Sequence, residues 1–494
     1  MTCVIMYLNL TLLRYKLLSP VSCILTPKCH NMFETEVNDL LERVIAVFDK
    51  ADVDYGDVRF DSSRSTSISK DKAQENISYE SSEGFHLRVL KGGEWRAVSL
   101  AGVDKKEVAT AAMNLSKFTP TTKAKSLYKP LKSWVLEEEM KIRKKFIDVG
   151  LEEKTELVRD LFERLMIDKR IVNAAARYGE GIGEKAFVNT EGSKLRFRTP
   201  VVRFILMAYA KAGKNIQMDY NVDGRYGVGY EFIEGIDFDG ICTETSKGAI
   251  ALLDGEQAPS GKLPVVLDPD MTGLIAHESF GHGLEADQVL RNRSFLSEKL
   301  NKKVAAENVT IVDNSAYENA YGTYAFDDEG VKSKRNVLVQ NGVLRGFLHS
   351  RETASALKMS PTGNGRAQNF SRKIYVRMSN TYFEKGDWKL EEMLEGINRG
   401  VYLEKSSHGM EDPLGGGIQV SSVKGSLIEH GRLTKLLRPV SLSGKVLELL
   451  LNVDAVGGDF SLHPGSCGKG YEDWVRVSSG GPSIRVKEAI VSGG

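Results

Sequence analysis

The chain has 494 residues, with 67 Lys and Arg against 66 Asp and Glu, and 41% of it is hydrophobic. That length fills two or three domains of the usual ~100–200 residues and excludes a mini-protein that needs staples to fold. A formal net charge of +1 provides no global field for a polyanion or an acidic lipid surface, which argues against direct nucleic-acid or membrane binding through bulk charge.

Residues 1–31 contain no Asp or Glu, and their apolar run precedes the first cation, Arg14. A secretory signal has the opposite layout, with its charge first and a small-residue cleavage site last. The reading is therefore that Met32 is the start and residues 1–31 are an upstream extension outside the fold. Nowhere do ~18 apolar residues follow one another, so no membrane-spanning helix is expected. Cys3, Cys23, Cys29, Cys242 and Cys467 are too few and too scattered for a disulfide framework, which points to a reducing, cytoplasmic setting.

From Met32 onward the pattern is that of an α+β protein. Val37, Leu40, Leu41, Val44, Ile45 and Phe48 recur at helical spacing and predict an amphipathic helix. Strands are predicted at Val58–Phe60, at Ile77–Ser81, and at Leu87–Val89 paired with Trp95–Val98 across Lys91-Gly92-Gly93. Val108 to Leu115 predicts a second helix. Charge-dense Leu136–Lys145 and then Leu157, Val158, Leu161 and Leu165 predict further helix, its charges solvated. Between Arg170 and Glu231 the signal turns to β, with turns at Thr190–Ser193 and Ala212–Asn215. Ala258–Pro264, rich in Pro and Gly, is the best linker signal. It divides an N-terminal α/β domain, residues 32–258 with possible subdomains 32–135 and 136–258, from a β-rich C-terminal domain, residues 259–494.

The chemistry comes after that linker. Val265–Leu267 predicts a short buried strand, and Asp268-Pro269-Asp270 supplies caps for a helix from near Met271. This helix carries His277-Glu278-Ser279-Phe280-Gly281-His282. Imidazoles are ligands for a divalent transition metal, and an adjacent carboxylate can take a proton from water activated by that metal. On a regular helix, however, residues five apart lie ~140° apart and cannot share an ion. A one-residue π-bulge near Phe280–Gly281 is therefore expected. A third ligand is needed as well; Cys467 and His463 both qualify, and spacing does not choose between them. Pro464–Gly470 departs from a phosphate loop, and Gly224–Gly229 from a dinucleotide fingerprint.

The run His277–Asp287 resembles the metal helix of the TldD/PmbA family of zinc metalloproteases, on the TldD side that keeps the motif. Asp54–Asp57, Phe326–Gly330, Asn341–Leu344, Thr362–Arg366, Arg377–Asn380, Ser466–Lys469 and Gly481–Ser483 also resemble family signatures, in family order. The resemblance implies that His277, His282 and Cys467 bind Zn2+ and that Glu278 is the catalytic carboxylate, accepting a proton from water and delivering it to the leaving amine. It implies small or unfolded peptides as substrates, and assembly as a homodimer or with a PmbA/TldE-like paralogue. A metal-stabilised scaffold or regulatory subunit of a protease complex, and a zinc hydrolase of a non-peptide amide, are the competing readings. Glu278 argues against the scaffold, because a structural zinc site has no use for it. Glu285 and Asp287 are candidates to orient a histidine or are helix surface. Asp327-Asp328-Glu329 reads as solvated loop charges or caps before it reads as a metal or amine site, and Arg366 stays unassigned.

Overall fold

A computed structural model describes residues 27–121, 130–138, 140–470 and 473–493. The expectation for residues 1–31 lies mostly outside these; the first helix, Pro27–Asp49, takes in 27–31. Its six apolar stripe residues are all buried.

The N-terminal half is one antiparallel sheet with a parallel edge. Its strands are β1 (Tyr55–Asp71), β2 (Glu75–Lys91), β3 (Glu94–Ala101), β4 (Val135–Glu138), β5 (Ile171–Asn189), β6 (Lys194–Ala212) and β7 (Asn215–Tyr226). The order is β3-β2-β1-β5-β6-β4, with β7 also on β6. Side chains alternate across a strand, and in β1 both faces are put to use. Its even positions Val58, Phe60 and Ile68 meet apolar helices. Its odd positions Asp57, Arg59 and Asp61 are buried too, and Arg59 pairs with Asp328 of the C-terminal half at 3.7 Å.

Three expectations are corrected. Ile77–Ser81 and Leu87–Val89 belong to one strand, β2, whose ladder with β1 runs unbroken from Glu75 to Leu90 through Gly84. Among the described residues of Leu136–Lys145 there is no helix: Val135–Glu138 is an edge strand parallel to Lys194–Phe197, because the run has charge but no apolar stripe to bury. The helix expected there spans only Leu151–Leu165. Nor is Ala258–Pro264 wholly linker, because Gly261–Leu267 forms strand β8. Pro264 is tolerated between two neighbours because the partner strand is bulged between Val486 and Ala489, where a missing N–H costs no ladder bond.

Beyond β8, the strands are β9 (Ile311–Asn314), β10 (Arg335–Gln340), β11 (Val343–Leu344), β12 (Gly365–Arg366), β13 (Tyr375–Val376), β14 (Asn380–Phe383), β15 (Arg399–Asp412), β16 (Gly417–Glu429), β17 (Arg432–Leu437), β18 (Val440–Lys445), β19 (Val453–Val456), β20 (Ser461–Lys469), β21 (Asp473–Gly481) and β22 (Ile484–Gly493). β15, β8, β22, β18 and β16 pair in that order, and β16 pairs back onto β15, closing a barrel. A second sheet runs β11-β10-β9-β14-β21-β20. The helix beginning at Pro269 packs between β15 of the barrel and β21 and β20 of that sheet. Gly273 makes this approach possible, since a Cβ there would sit 2.4 Å from the Gly480 backbone nitrogen. Among the described residues, no helix is long and apolar enough to cross a membrane.

Candidate metal centre

The helix starts as the sequence prescribes. Asp268 caps it, its carboxylate accepting from Met271 N at 2.7 Å, with Pro269 in the first turn. After Ile275 the winding changes to a π-helical turn over Ala276–Gly281, and the His282 N–H bonds to the His277 carbonyl, five residues back. This is the rewinding that a five-residue spacing requires. Gly281 sits here for a steric reason: a Cβ would lie 1.8 Å from Met378 Sδ.

The distortion brings the two imidazoles together, with ring centroids 5.1 Å apart and planes near perpendicular. Cys467 reaches them from β20, its Sγ 3.5 Å from His282 Nε2. The three donor atoms of His277, His282 and Cys467 lie within 4.8 Å of one another, all buried. His463 does not join them. It is four residues away along an extended strand, ~13 Å by strand rise, and its Nε2 meets Ser461 Oγ at 2.7 Å. Two imidazoles and a thiol are the donors a zinc ion prefers, and three of them leave a fourth position open.

Supporting contacts hold His282 and Cys467. Glu285 Oε2 lies 3.4 Å from His282 Nδ1, leaving Nε2 to face Cys467. Lys469 Nζ donates to Glu285, to Asp287 at 2.7 Å and to the Val376 carbonyl. Burial pushes the Glu285 carboxyl up, but Lys469 and His282 outweigh it and hold the group below the usual carboxylate range. Glu285 thus supports His282 directly and Asp287 through Lys469. Arg377, wholly buried, donates to the Cys467 carbonyl and to Asp473 Oδ1 at 3.0 Å.

Glu278 is fully buried, and neither carboxylate oxygen has a hydrogen-bond partner. Burial pushes its carboxyl well above the usual range, with Glu411 and Cys467 adding to the rise and His282 opposing it. Glu411 was not anticipated. Its carboxylate lies within 4.8 Å of the donor atoms of both Glu278 and His282. It arrives on β15, whose register shifts between Ser406 and His408, next to Lys405 at a φ of 56°. The bulge is pinned to the helix start by Ser406 N to Asp270 and Lys405 N to Asp268, both 2.9 Å. Such bulges re-aim side chains beside functional sites. Gly409 completes the approach, since a Cβ there would lie 2.8 Å from Glu278 Cγ. No local spacing in the sequence announces a strand residue 133 positions after the helix it serves.

Asp327-Asp328-Glu329 is corrected: the three acids are buried, not solvated. Asp327 caps a turn, accepting from the Glu329, Val331 and Gly365 nitrogens. Asp328 pairs with Lys185 and Glu329 with Arg88, both on the N-terminal sheet. Arg366 is structural as well, donating to the Met378 and Arg476 carbonyls.

Comparison with known proteins extends these observations. Residues 144–253 match the PmbA/TldA metallopeptidase central domain, and residues 260–493 the PmbA/TldA metallopeptidase C-terminal domain. Metalloprotease MJ0996 of Methanocaldococcus jannaschii is 36% identical over 437 residues, covering 87% of this chain and 96% of its own. A zinc metalloprotease TldD homolog of Saccharolobus solfataricus is 26% identical over 441 residues, covering 89% and 96%. Among solved structures, a proposed modulator of a DNA gyrase from Thermotoga maritima superposes with a TM-score of 0.76 at 22% identity, covering 92% of this chain and all of its own. TldE from Thermococcus kodakarensis does so with a TM-score of 0.73 at 18% identity, covering 93% and 100%. At such identities these two speak for the fold.

Proposed function

The chain belongs to the PmbA/TldD metallopeptidase family, and from that premise we propose that it is a zinc-dependent peptidase in which Glu278 is the catalytic carboxylate. The observation that carries this reading is a buried acid with both oxygens unpartnered, next to a His277, His282 and Cys467 donor set. A zinc ion held by those donors supplies Lewis acidity, which lowers the pKa of water toward ~7 and polarises a peptide carbonyl. Glu278 takes the attacking water's proton on a carboxylate oxygen and hands it to the leaving amine. Glu285 holds the His282 ring so that Nε2 points inward, and Arg377 fixes the backbone that presents the Cys467 thiolate. Substrates are small or unfolded peptides, and a second subunit, another copy or a TldE-like paralogue, completes the assembly, as the TldE likeness suggests.

The test is metal content and peptide cleavage of purified full-length protein beside Glu278→Gln. The expected result is zinc retained and kcat/KM lowered ~10²–10⁴-fold. Unchanged cleavage in a zinc-replete Glu278→Gln protein removes the reading.

A further inference from the structure

Between the two halves, on the far side of β21 from the metal centre, lies a separate cavity. Side chains alternate along a strand: Val475 is the register partner of Cys467 and packs in the same core, so Trp474 and Arg476 point the other way. They face β1, β5 and β6 of the N-terminal sheet across a space of about 250 Å³. Its charges are not balanced from within. Of the three acids on its wall, Asp61 and Asp328 share Arg59 and Lys185, and Asp327 turns its oxygens to three backbone N–H groups. Two guanidiniums are left. Arg366, only 8% exposed, donates to two carbonyls and lies 4.7 Å from the Tyr324 ring centroid. Arg476 donates to the Tyr321 carbonyl at 3.1 Å and lies over the Tyr226 and Tyr321 rings, 5.5 Å from each. Among the described residues no carboxylate pairs with either, and burial pushes both guanidiniums down from their ordinary value. Cations kept among carbonyls and rings without a counter-ion are costly to bury.

We propose that this cavity binds the α-carboxylate of a single apolar residue, free or at the end of a peptide, with Arg366 and Arg476 as its counter-ions. The inference is independent of the peptidase reading. A guanidinium fork matches the two oxygens of a carboxylate. Phosphate shares that match, but helix N-termini are its ready-made sites, and no described helix begins among the lining residues. Phe197, Phe326 and Trp474 supply apolar wall for the side chain. At 250 Å³ the space falls below the ~300–1,000 Å³ of drug-sized ligand pockets, so it takes one residue rather than a nucleotide.

The test is calorimetry on zinc-loaded, full-length protein with four probes: N-acetylphenylalanine, which mimics the last residue of a peptide, its uncharged carboxamide, free phenylalanine, and inorganic phosphate. N-acetylphenylalanine is expected to bind at least tenfold more tightly than the carboxamide. Arg476→Gln brings it down to the carboxamide's affinity, with the zinc content unchanged. Thr199→Glu, which sets a carboxylate on the cavity wall, does the same and decides the matter if Arg476→Gln does not fold. Free phenylalanine binding more tightly than the acetylated form assigns the site to amino acids, and weaker binding assigns it to peptide ends; either result upholds the carboxylate site. Equal binding of N-acetylphenylalanine and its carboxamide overturns the inference, as does absence of binding by both acids. Binding of the acids that survives Arg476→Gln and Thr199→Glu puts their carboxylate elsewhere, the metal centre included, and overturns it as well. Phosphate binding more tightly than either acid, and lost with Arg476→Gln, overturns the carboxylate assignment in favour of a phosphate site.

Discussion

Two buried, charged regions of this molecule are built from comparable residues and end in opposite states. Where the two halves meet, Asp57 and Glu329 share Arg88, while Asp61 and Asp328 share Arg59 with Lys185 close by. Each carboxylate there faces a cation. At the metal centre, Glu278 and Glu411 face one another, and no ion pair among the described residues reaches either. Buried charge is tolerated when it is paired and costs folding free energy when it is not. The first region is a bolt in which each of these four carboxylates has its cation. The second is held incomplete by the fold around it, which is how a site differs from a scaffold.

The contrast is tested most strongly by removing one charge from each region. Arg88→Ala leaves Asp57 and Glu329 buried without their cation, and a loss of about 3–5 kcal/mol is expected, read as a lowered urea midpoint of full-length protein. Glu278→Gln has the opposite sign in zinc-free protein. The folded-state carboxyl is raised well above its ordinary value, so its ionised form opposes folding at neutral pH, and the neutral amide raises the midpoint. Equal losses from the two variants would break the distinction.

A smaller effect separates the regions by pH. His86 lies beside the bolt, and burial, with Arg59 and Arg88, pushes its imidazole down to about 3. The unfolded chain then binds the proton first, so this group's stabilisation is complete above its ordinary pKa near ~6.5 and is lost progressively as pH falls below it. At pH 5 the loss is about 2 kcal/mol, one and a half units at ~1.36 kcal/mol each. His86→Gln removes that component, and the variant's midpoint should fall less between pH 7 and pH 5 than the wild type's. Identical pH dependence would place the acid sensitivity elsewhere.

How much of the molecule is legible in the sequence depends on whether the relevant distance is local. The apolar stripe of the first helix, the Asp268 cap and the need for a π-turn follow from spacings within a few residues. Cys467 is chosen over His463 only through family resemblance, because a ligand 185 positions from His282 has no local signature. An acidic turn such as Asp327–Glu329 looks solvated until its partners on β1, β2 and β5 are known. Glu411 gives no signal at all in the sequence: its role depends on a bulge and on a glycine that matters only once β15 lies against the helix.

Gly281 offers the mildest test of the metal centre's geometry. Adding a Cβ forces it into Met378 Sδ at 1.8 Å, and Met378 is fully buried, so it has little room to yield. Overpacking of this kind costs ~1–3 kcal/mol, while replacing a helical glycine by alanine returns ~1 kcal/mol. The net loss for Gly281→Ala is therefore about 1 kcal/mol. The larger consequence falls on zinc, since moving the π-turn swings His282 away from Cys467. Zinc affinity measured by competition with a chelator should fall tenfold or more, and adding Met378→Ala should recover part of it, because the two residues share one contact. A Gly281→Ala protein that keeps wild-type zinc affinity would show that the close packing at Met378 does not position the histidine.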